Sequence, residues 1–174
     1  MRGGAIYIEE SDDNKLATDV YGKYQISNSR FDQCSAVAGG ALYLNNPQYL
    51  TIDQNTVFSY NRAKNISSEA LKKIRGSGGA IFYECDENSM NCLVDITNVS
   101  FAYNYAEIKG GGIHWNTLEP LWGGIGANGN LSSIKFNKNK AGRYGDNIAA
   151  FAQQIVIIDE KDFKSSMFSA TSFL

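Results

Sequence analysis

A chain of 174 residues is long enough for one domain with a real core. Sixteen basic against eighteen acidic side chains leave a net charge of −2, and no long charge run stands out, which argues against nucleic acid or an anionic membrane as the main partner. Seventeen glycines, many aromatic residues and only two prolines favour a turn-dense β protein over a helical one.

The first phrase met along the chain is GGAIYI, Gly3 to Ile8. It returns as GGALYL at Gly39 to Leu44, GGAIFY at Gly78 to Tyr83 and GGGIHW at Gly110 to Trp115, with a worn copy, YGDNIA, at Tyr144 to Ala149. Aligned on Ile6, Leu42, Ile81, Ile113 and Ile148, the copies recur about every 35 residues, a period typical of solenoid repeats. Positions two apart share one face of a strand, so Ile6 with Ile8, Leu42 with Leu44, Ile81 with Tyr83 and Ile113 with Trp115 are expected to face the core. The paired glycines supply either a turn with φ > 0 or room for close approach between repeats. His114 takes the column of Tyr7, Tyr43 and Phe82, which reads as an aromatic exchange on a strand rather than as a catalytic base.

Between copies of the first phrase runs a second, Asn-x-x-Phe-x-x-Asn-x-Ala. It reads NSRFDQCSA at Asn28 to Ala36, NTVFSYNRA at Asn55 to Ala63, NVSFAYNYA at Asn98 to Ala106 and SIKFNKNKA at Ser133 to Ala141, with an eroded FKSS at Phe163 to Ser166. Stacking repeats about 4.8 Å apart aligns Phe31, Phe58, Phe101 and Phe136 into an aromatic ladder, and Asn61, Asn104 and Asn139 into an amide ladder at a tight corner. Cys34 stands where the amide ladder ends, because a thiol fits the corner without continuing the bonding. The expected fold class is therefore all-β: a parallel β-solenoid of four to five coils occupying residues 1–174 as one segment.

The alternation of GGA[ILV] with FxxN resembles the repeats of the chlamydial polymorphic membrane proteins, whose passenger regions are right-handed parallel β-helices of the autotransporter type. It is also similar to repeats in large surface proteins of ciliated protozoa, which share the pectin-lyase-like fold class. The resemblance runs from Gly3 to about Ser166, with departures at Cys34, Gly112 and around Gly145. It implies display at the cell surface or outside the cell, and adhesion, and it transfers no catalytic residues. The phrases also run to both chain ends without an evident cap, so this segment is expected to belong to a larger, membrane-anchorable parent chain whose remainder caps the repeats.

The features able to carry chemistry are few. GGIGANG at Gly123 to Gly129 is followed by a strand-like stretch instead of a helix, so it reads as a loop, and no nucleotide or other cofactor is expected. Cys85 and Cys92 flank a polar loop that a disulfide could close, two free thiols being the alternative. A single pair at this spacing is a poor metal site. Aligning Phe58 with Phe101 sets Asp53 opposite Ile96, so Asp53 and Asp95 share no column and build no acidic site.

Asn65, Asn98 and Asn130 open glycosylation sequons; Asn98 belongs to a structural column, leaving Asn65 and Asn130 as candidates. Asn65 also opens the one large insertion, Asn65 to Ser77, which is expected to project as a short helix capped by Ser67 or Ser68, with Glu69 paired to Lys73. Finally, two outward columns read Gln33, Tyr60, Tyr103, Lys138 and Ser35, Arg62, Tyr105, Lys140. Tyr60, Arg62, Tyr103 and Tyr105 form either a flat patch for a glycan or protein partner or cross-strand packing alone. The reading is a non-catalytic structural or adhesive segment; the alternatives are a fragment of a carbohydrate-active enzyme and an intracellular scaffold component.

Overall fold

The computed structural model describes residues 2–9, 24–47, 49–67, 69–85, 92, 94–116 and 133–150; the Phe163 to Ser166 copy and the GGIGANG loop lie outside the described residues. In chain order the strands are β1 (Ile6–Glu9), β2 (Tyr24–Ser27), β3 (Arg30–Asp32), β4 (Ser35–Ala36), β5 (Leu42–Asn45), β6 (Leu50–Asp53), β7 (Val57–Ser59), β8 (Arg62–Ala63), β9 (Ile81–Glu84), β10 (Val94–Ile96), β11 (Ser100–Ala102), β12 (Tyr105–Ala106), β13 (Ile113–Asn116), β14 (Lys135–Asn137), β15 (Lys140–Ala141) and β16 (Ile148–Ala150). They form four sheets, ordered β1-β5-β9-β13-β16, β2-β6-β10, β3-β7-β11-β14 and β4-β8-β12-β15. Every pairing is parallel and joins equivalent strands of successive repeats. The chain is thus nearly all β, compatible with a parallel β-helix.

The glycine pairs divide the two roles expected of them. The first glycine makes the turn in the left-handed region, with φ of 58° at Gly39 and 67° at Gly78. The second permits contact between repeats: a Cβ on Gly40 would overlap the carbonyl oxygen of Gly79, and one on Gly79 that of Gly111. Backbone bonds then run straight through these turns, Gly40 N–H donating to Gly78 O at 3.0 Å and Gly79 N–H to Gly110 O at 2.8 Å.

Side chains reinforce this register from within. Phe31 stacks on Phe58 at 4.8 Å between ring centroids, Phe58 on Phe101 at 5.0 Å and Phe101 on Phe136 at 5.3 Å. The amide ladder runs beside them. Asn61 Nδ2 donates to Asn104 Oδ1 at 2.9 Å and to Phe31 O at 3.0 Å. Asn104 Nδ2 donates to Asn139 Oδ1 at 2.9 Å and to Phe58 O at 3.0 Å, while its Oδ1 also accepts the Asn61 backbone N–H at 3.0 Å. All four bonding positions of this 1 %-exposed amide are therefore filled. At one end Cys34 contributes only its backbone N–H, to Asn61 Oδ1 at 3.0 Å. At the other, Asn139 Nδ2 bonds Asn147 Oδ1 at 3.2 Å, a rung supplied by the worn copy of the first phrase.

The strand residues placed inward by the two-residue alternation do meet in one core, where Leu42, Leu44, Ile81, Tyr83, Ile113 and Trp115 pack with the phenylalanine ladder. The opposite face of the same sheet is also buried at Tyr43 and Phe82, though not at Tyr7. Tyr7, Tyr43 and Phe82 stack outward of it, Tyr43 on Phe82 at 5.0 Å, and Tyr43 donates its hydroxyl to the Glu84 carboxylate. What covers Tyr43 and Phe82 is the insertion: Ile74 and Leu71 pack on Ala38, Tyr43 and Phe82.

Two expectations need correction. The insertion is neither an α-helix nor a projecting lobe; it holds a single 3₁₀ turn, Glu69–Leu71, and Glu69 pairs with Lys72 at 3.6 Å rather than with Lys73. So short a segment cannot offset the cost of helix nucleation, and bringing Leu71 and Ile74 onto the sheet before the turn at Gly76, φ 65°, favours the tighter winding. Asp53, moreover, does not lie opposite Ile96. The register is Thr51 to Asp95 and Ile52 to Ile96, because Gln54 and Asn55 both adopt positive φ, 51° and 62°, and add one residue to that turn. The two acids still occupy different columns.

His114 ends the outer aromatic stack, tilted against Phe82 at 5.1 Å and 1 % exposed. Its Nδ1 lies 3.1 Å from Ala149 O, and since a carbonyl can only accept, that nitrogen carries the proton. Burial, with the nearby Lys109 charge, pushes the imidazole down to about 3. It is a neutral aromatic filler at ordinary pH.

Two outcomes follow from the packing. Phe101→Ala should cost roughly 3–5 kcal/mol by opening a cavity between repeats, and Asn104→Leu should cost at least as much, because each buried group it strands loses roughly 1–3 kcal/mol. Denaturant unfolding measures both, and unchanged stability in either would remove that ladder as a support of the fold. His114 stays neutral in the fold but takes a proton in the unfolded chain below its ordinary value of 6.5. Its contribution is therefore complete above that pH and is lost, at up to about 1.4 kcal/mol per pH unit, as pH falls toward 3. Relative to the parent, His114→Phe should gain stability steadily between pH 7 and 4; a pH-independent difference would contradict the buried neutral imidazole.

Candidate binding surface

The outward column beside the amide ladder is built by backbone conformation. Gln33, Tyr60, Tyr103 and Lys138 all adopt positive φ, at 56°, 54°, 57° and 53°. This left-handed step turns the following residue, Asn61, Asn104 or Asn139, into the interior and throws its own side chain outward. Outside glycine such a conformation costs roughly 1–2 kcal/mol, which the filled amide ladder offsets.

Tyr60 and Tyr103 stack at 4.9 Å with their planes 5° apart, and they remain 55 % and 39 % exposed. The Lys138 ammonium lies 5.5 Å from the Tyr103 ring centre. Tyr103 is therefore covered by Tyr60 and Lys138 and offers its ring edge and hydroxyl to solvent, while Tyr60 has one face taken up by the stack. That differs from the flat platform expected, since the same stacking that aligns the column occupies the ring faces. The insertion leaves both tyrosines uncovered.

The second column is more committed. The Arg62 guanidinium sits 5.3 Å from the Tyr105 ring centre and donates through Nη2 to Glu107 Oε1 at 2.6 Å. Glu107 Oε2 accepts the backbone N–H of Asn65 at 2.7 Å. That N–H first, and Arg62 second, hold the Glu107 carboxyl below its usual range. Arg62 and Tyr105 thus anchor the start of the insertion and are less available to a ligand than Tyr60 and Tyr103.

The remaining candidates are scattered. Cys85 and Cys92 are joined in a disulfide, with Cys85 in the core. Cys34 is free, and burial followed by the Asp32 charge raises its thiol, which disfavours a nucleophilic thiolate. Asn65 is exposed, Asn98 sits in a left-handed turn at φ 53°, and Asn130 lies outside the described residues. No group of three or more metal-ligating His, Cys, Asp or Glu side chains occurs among the described residues. Sequence reasoning set Lys138 and Lys140 at the ends of the two columns but left them, and their neighbour Lys135, out of the candidate patch; three lysines within six residues were the signal.

No protein-family model matches the chain, and no solved structure matches it. No helix among the described residues is long and apolar enough to cross a membrane, which says nothing of strands crossing as a barrel. Among curated proteins the chain is similar to one described as "Probable outer membrane protein pmp6" of Chlamydia pneumoniae, 32 % identical over 117 residues. The match takes in 64 % of this chain but only 8 % of that relative's length. The distant, partial likeness supports the suspected resemblance to the polymorphic-membrane-protein type.

Proposed function

We propose that the chain is a non-catalytic segment of a right-handed parallel β-helix, carried by a larger surface-displayed repeat protein and presenting contacts along its faces. The observation that carries this reading is the similarity to an outer membrane protein over 64 % of this chain, beside equivalent strands that pair in register across four parallel sheets. The Cys85–Cys92 disulfide fits an oxidising, extracytoplasmic setting. Half-buried apolar residues at the two end repeats, Ile6, Ile8 and Phe31 at one and Phe136 and Ile148 at the other, suit neighbours in a longer chain that cap the repeats. On this reading Asn65, exposed at the start of the insertion, is the accessible glycan acceptor.

Support for a binding role over a catalytic one comes from what the side chains are engaged in. Asp53 and Asp95 lie in different columns, His114 is buried and neutral, and Cys34 has a raised thiol. The tyrosine column, by contrast, is held open at the surface and makes no contribution to the core. Antibody raised against the insertion should label intact cells of the source organism without permeabilisation, and the epitope should vanish after external protease treatment. Labelling confined to permeabilised cells would favour an intracellular scaffold instead. Release of new reducing or unsaturated ends from any polysaccharide by the purified chain would favour the enzyme reading.

A further inference from the structure

The outward cations of the described chain fall into two kinds. In the earlier repeats several are paired, Arg30 with Asp32 at 3.6 Å, Arg62 with Glu107 at 2.6 Å and Lys72 with Glu69 at 3.6 Å, while Arg2, Lys64 and Lys73 are exposed and make no ion pair among the described residues. The last described repeat gathers four cations, Lys135, Lys138, Lys140 and Arg143, all exposed and none with an ion-pair partner among the described residues. The acid of that repeat, Asp146, is occupied in accepting the Ala141 N–H at 2.9 Å.

The fold gathers these charges at one corner. Strand β14 turns Phe136 toward the core and leaves Lys135 and Asn137 exposed, the left-handed step at Lys138 sets its ammonium at the end of the tyrosine stack, and Lys140 stands in register with Tyr105. Arg143 follows, tied to Ile108 O by its backbone N–H at 2.8 Å. From Tyr60 through Tyr103 to Lys138 the column crosses three repeats, a line of about 10 Å at the spacing of paired strands.

We propose that this cationic corner, together with the tyrosine edges leading to it, binds an extended anionic polysaccharide bearing sulfate or carboxylate groups; the proposal rests on the surface-display reading and names its ligand class. Sulfates or carboxylates accept charge-assisted hydrogen bonds from the lysines and a paired contact from Arg143. The sugar hydroxyls bond the hydroxyls of Tyr60 and Tyr103 and the exposed Asn137 amide. Because the Tyr103 ring is covered from both sides, the middle of the column offers no open face for the base stacking on which single-stranded nucleic acid binding depends. A bilayer is disfavoured by geometry too, since the charges sit on one corner of a chain whose net charge is −2.

The test is equilibrium binding of the purified chain to dextran sulfate, beside uncharged dextran of equal length, at two salt concentrations. Dextran sulfate should bind and dextran should not, with affinity falling as salt rises. The combined Lys135→Gln, Lys138→Gln and Lys140→Gln variant should lose at least about tenfold in affinity and show a shallower salt slope. A control that removes three exposed cations elsewhere, Lys64→Gln, Lys72→Gln and Lys73→Gln, should lose less than about twofold. No binding of dextran sulfate, or equal losses in the two variants, overturns the proposed site. Tighter binding of single-stranded DNA or of phosphatidylserine vesicles than of dextran sulfate overturns the glycan class. Surface labelling of intact cells reads the display proposal separately, so either can fail while the other stands.

Discussion

Everything described here depends on one constraint, that equivalent residues of successive repeats stay in register. Parallel strands alone would permit a slip, since their hydrogen bonds are evenly spaced and indifferent to side-chain identity. The asparagine ladder removes that freedom. Asn104 is saturated only when Asn61 lies on one side, Asn139 on the other and Phe58 O at the corner. A slip of one residue would strand several buried polar groups at once, and that penalty exceeds what any single apolar contact could restore.

From that register the outer surface follows with little further choice. A ladder that requires Asn inside requires a left-handed residue just before it, and that residue projects outward in every repeat. Successive side chains in such a column must lie about 5 Å apart, so aromatic ones stack and become a rail of edges. The second column shows the other fate of an outward position. Arg62 and Glu107 were recruited to hold the insertion, which in turn seals Tyr43 and Phe82 on the far side of the first sheet. The outward groups left uncommitted among the described residues are therefore the tyrosines and the lysines at 135, 138 and 140, which make no ion pair there.

The repeat architecture was legible because each phrase carries its reason with it. Glycine pairs mark turns, Phe and Asn mark inward positions, and their fixed order predicted the pairing of Phe58 with Phe101 and of Ile81 with Ile113. What stayed hidden required knowing which of two neighbouring residues takes a positive φ. Gln54 and Asn55 both do, and that single extra residue displaced Asp53 from its expected partner. The insertion misled for a different reason: its helical spacing is genuine, but Leu71 and Ile74 gain more from covering an aromatic sheet face than a short exposed helix could supply. The tyrosine site was half legible. Its residues and columns were visible, whereas the covering of the Tyr103 ring faces and the absence, among the described residues, of ion-pair partners for Lys135, Lys138 and Lys140 emerge only from neighbours across repeats.

The most direct test of the register is the exchange of asparagine side-chain amide protons with solvent, followed by NMR on protein labelled with ¹⁵N at asparagine. The Nδ2 protons of Asn61 and Asn104 should exchange only through opening of the repeats and so persist far longer than those of the exposed Asn137. Exchange of Asn104 as fast as that of Asn137 would show that the amide ladder does not exist in solution, and the stacked register with it.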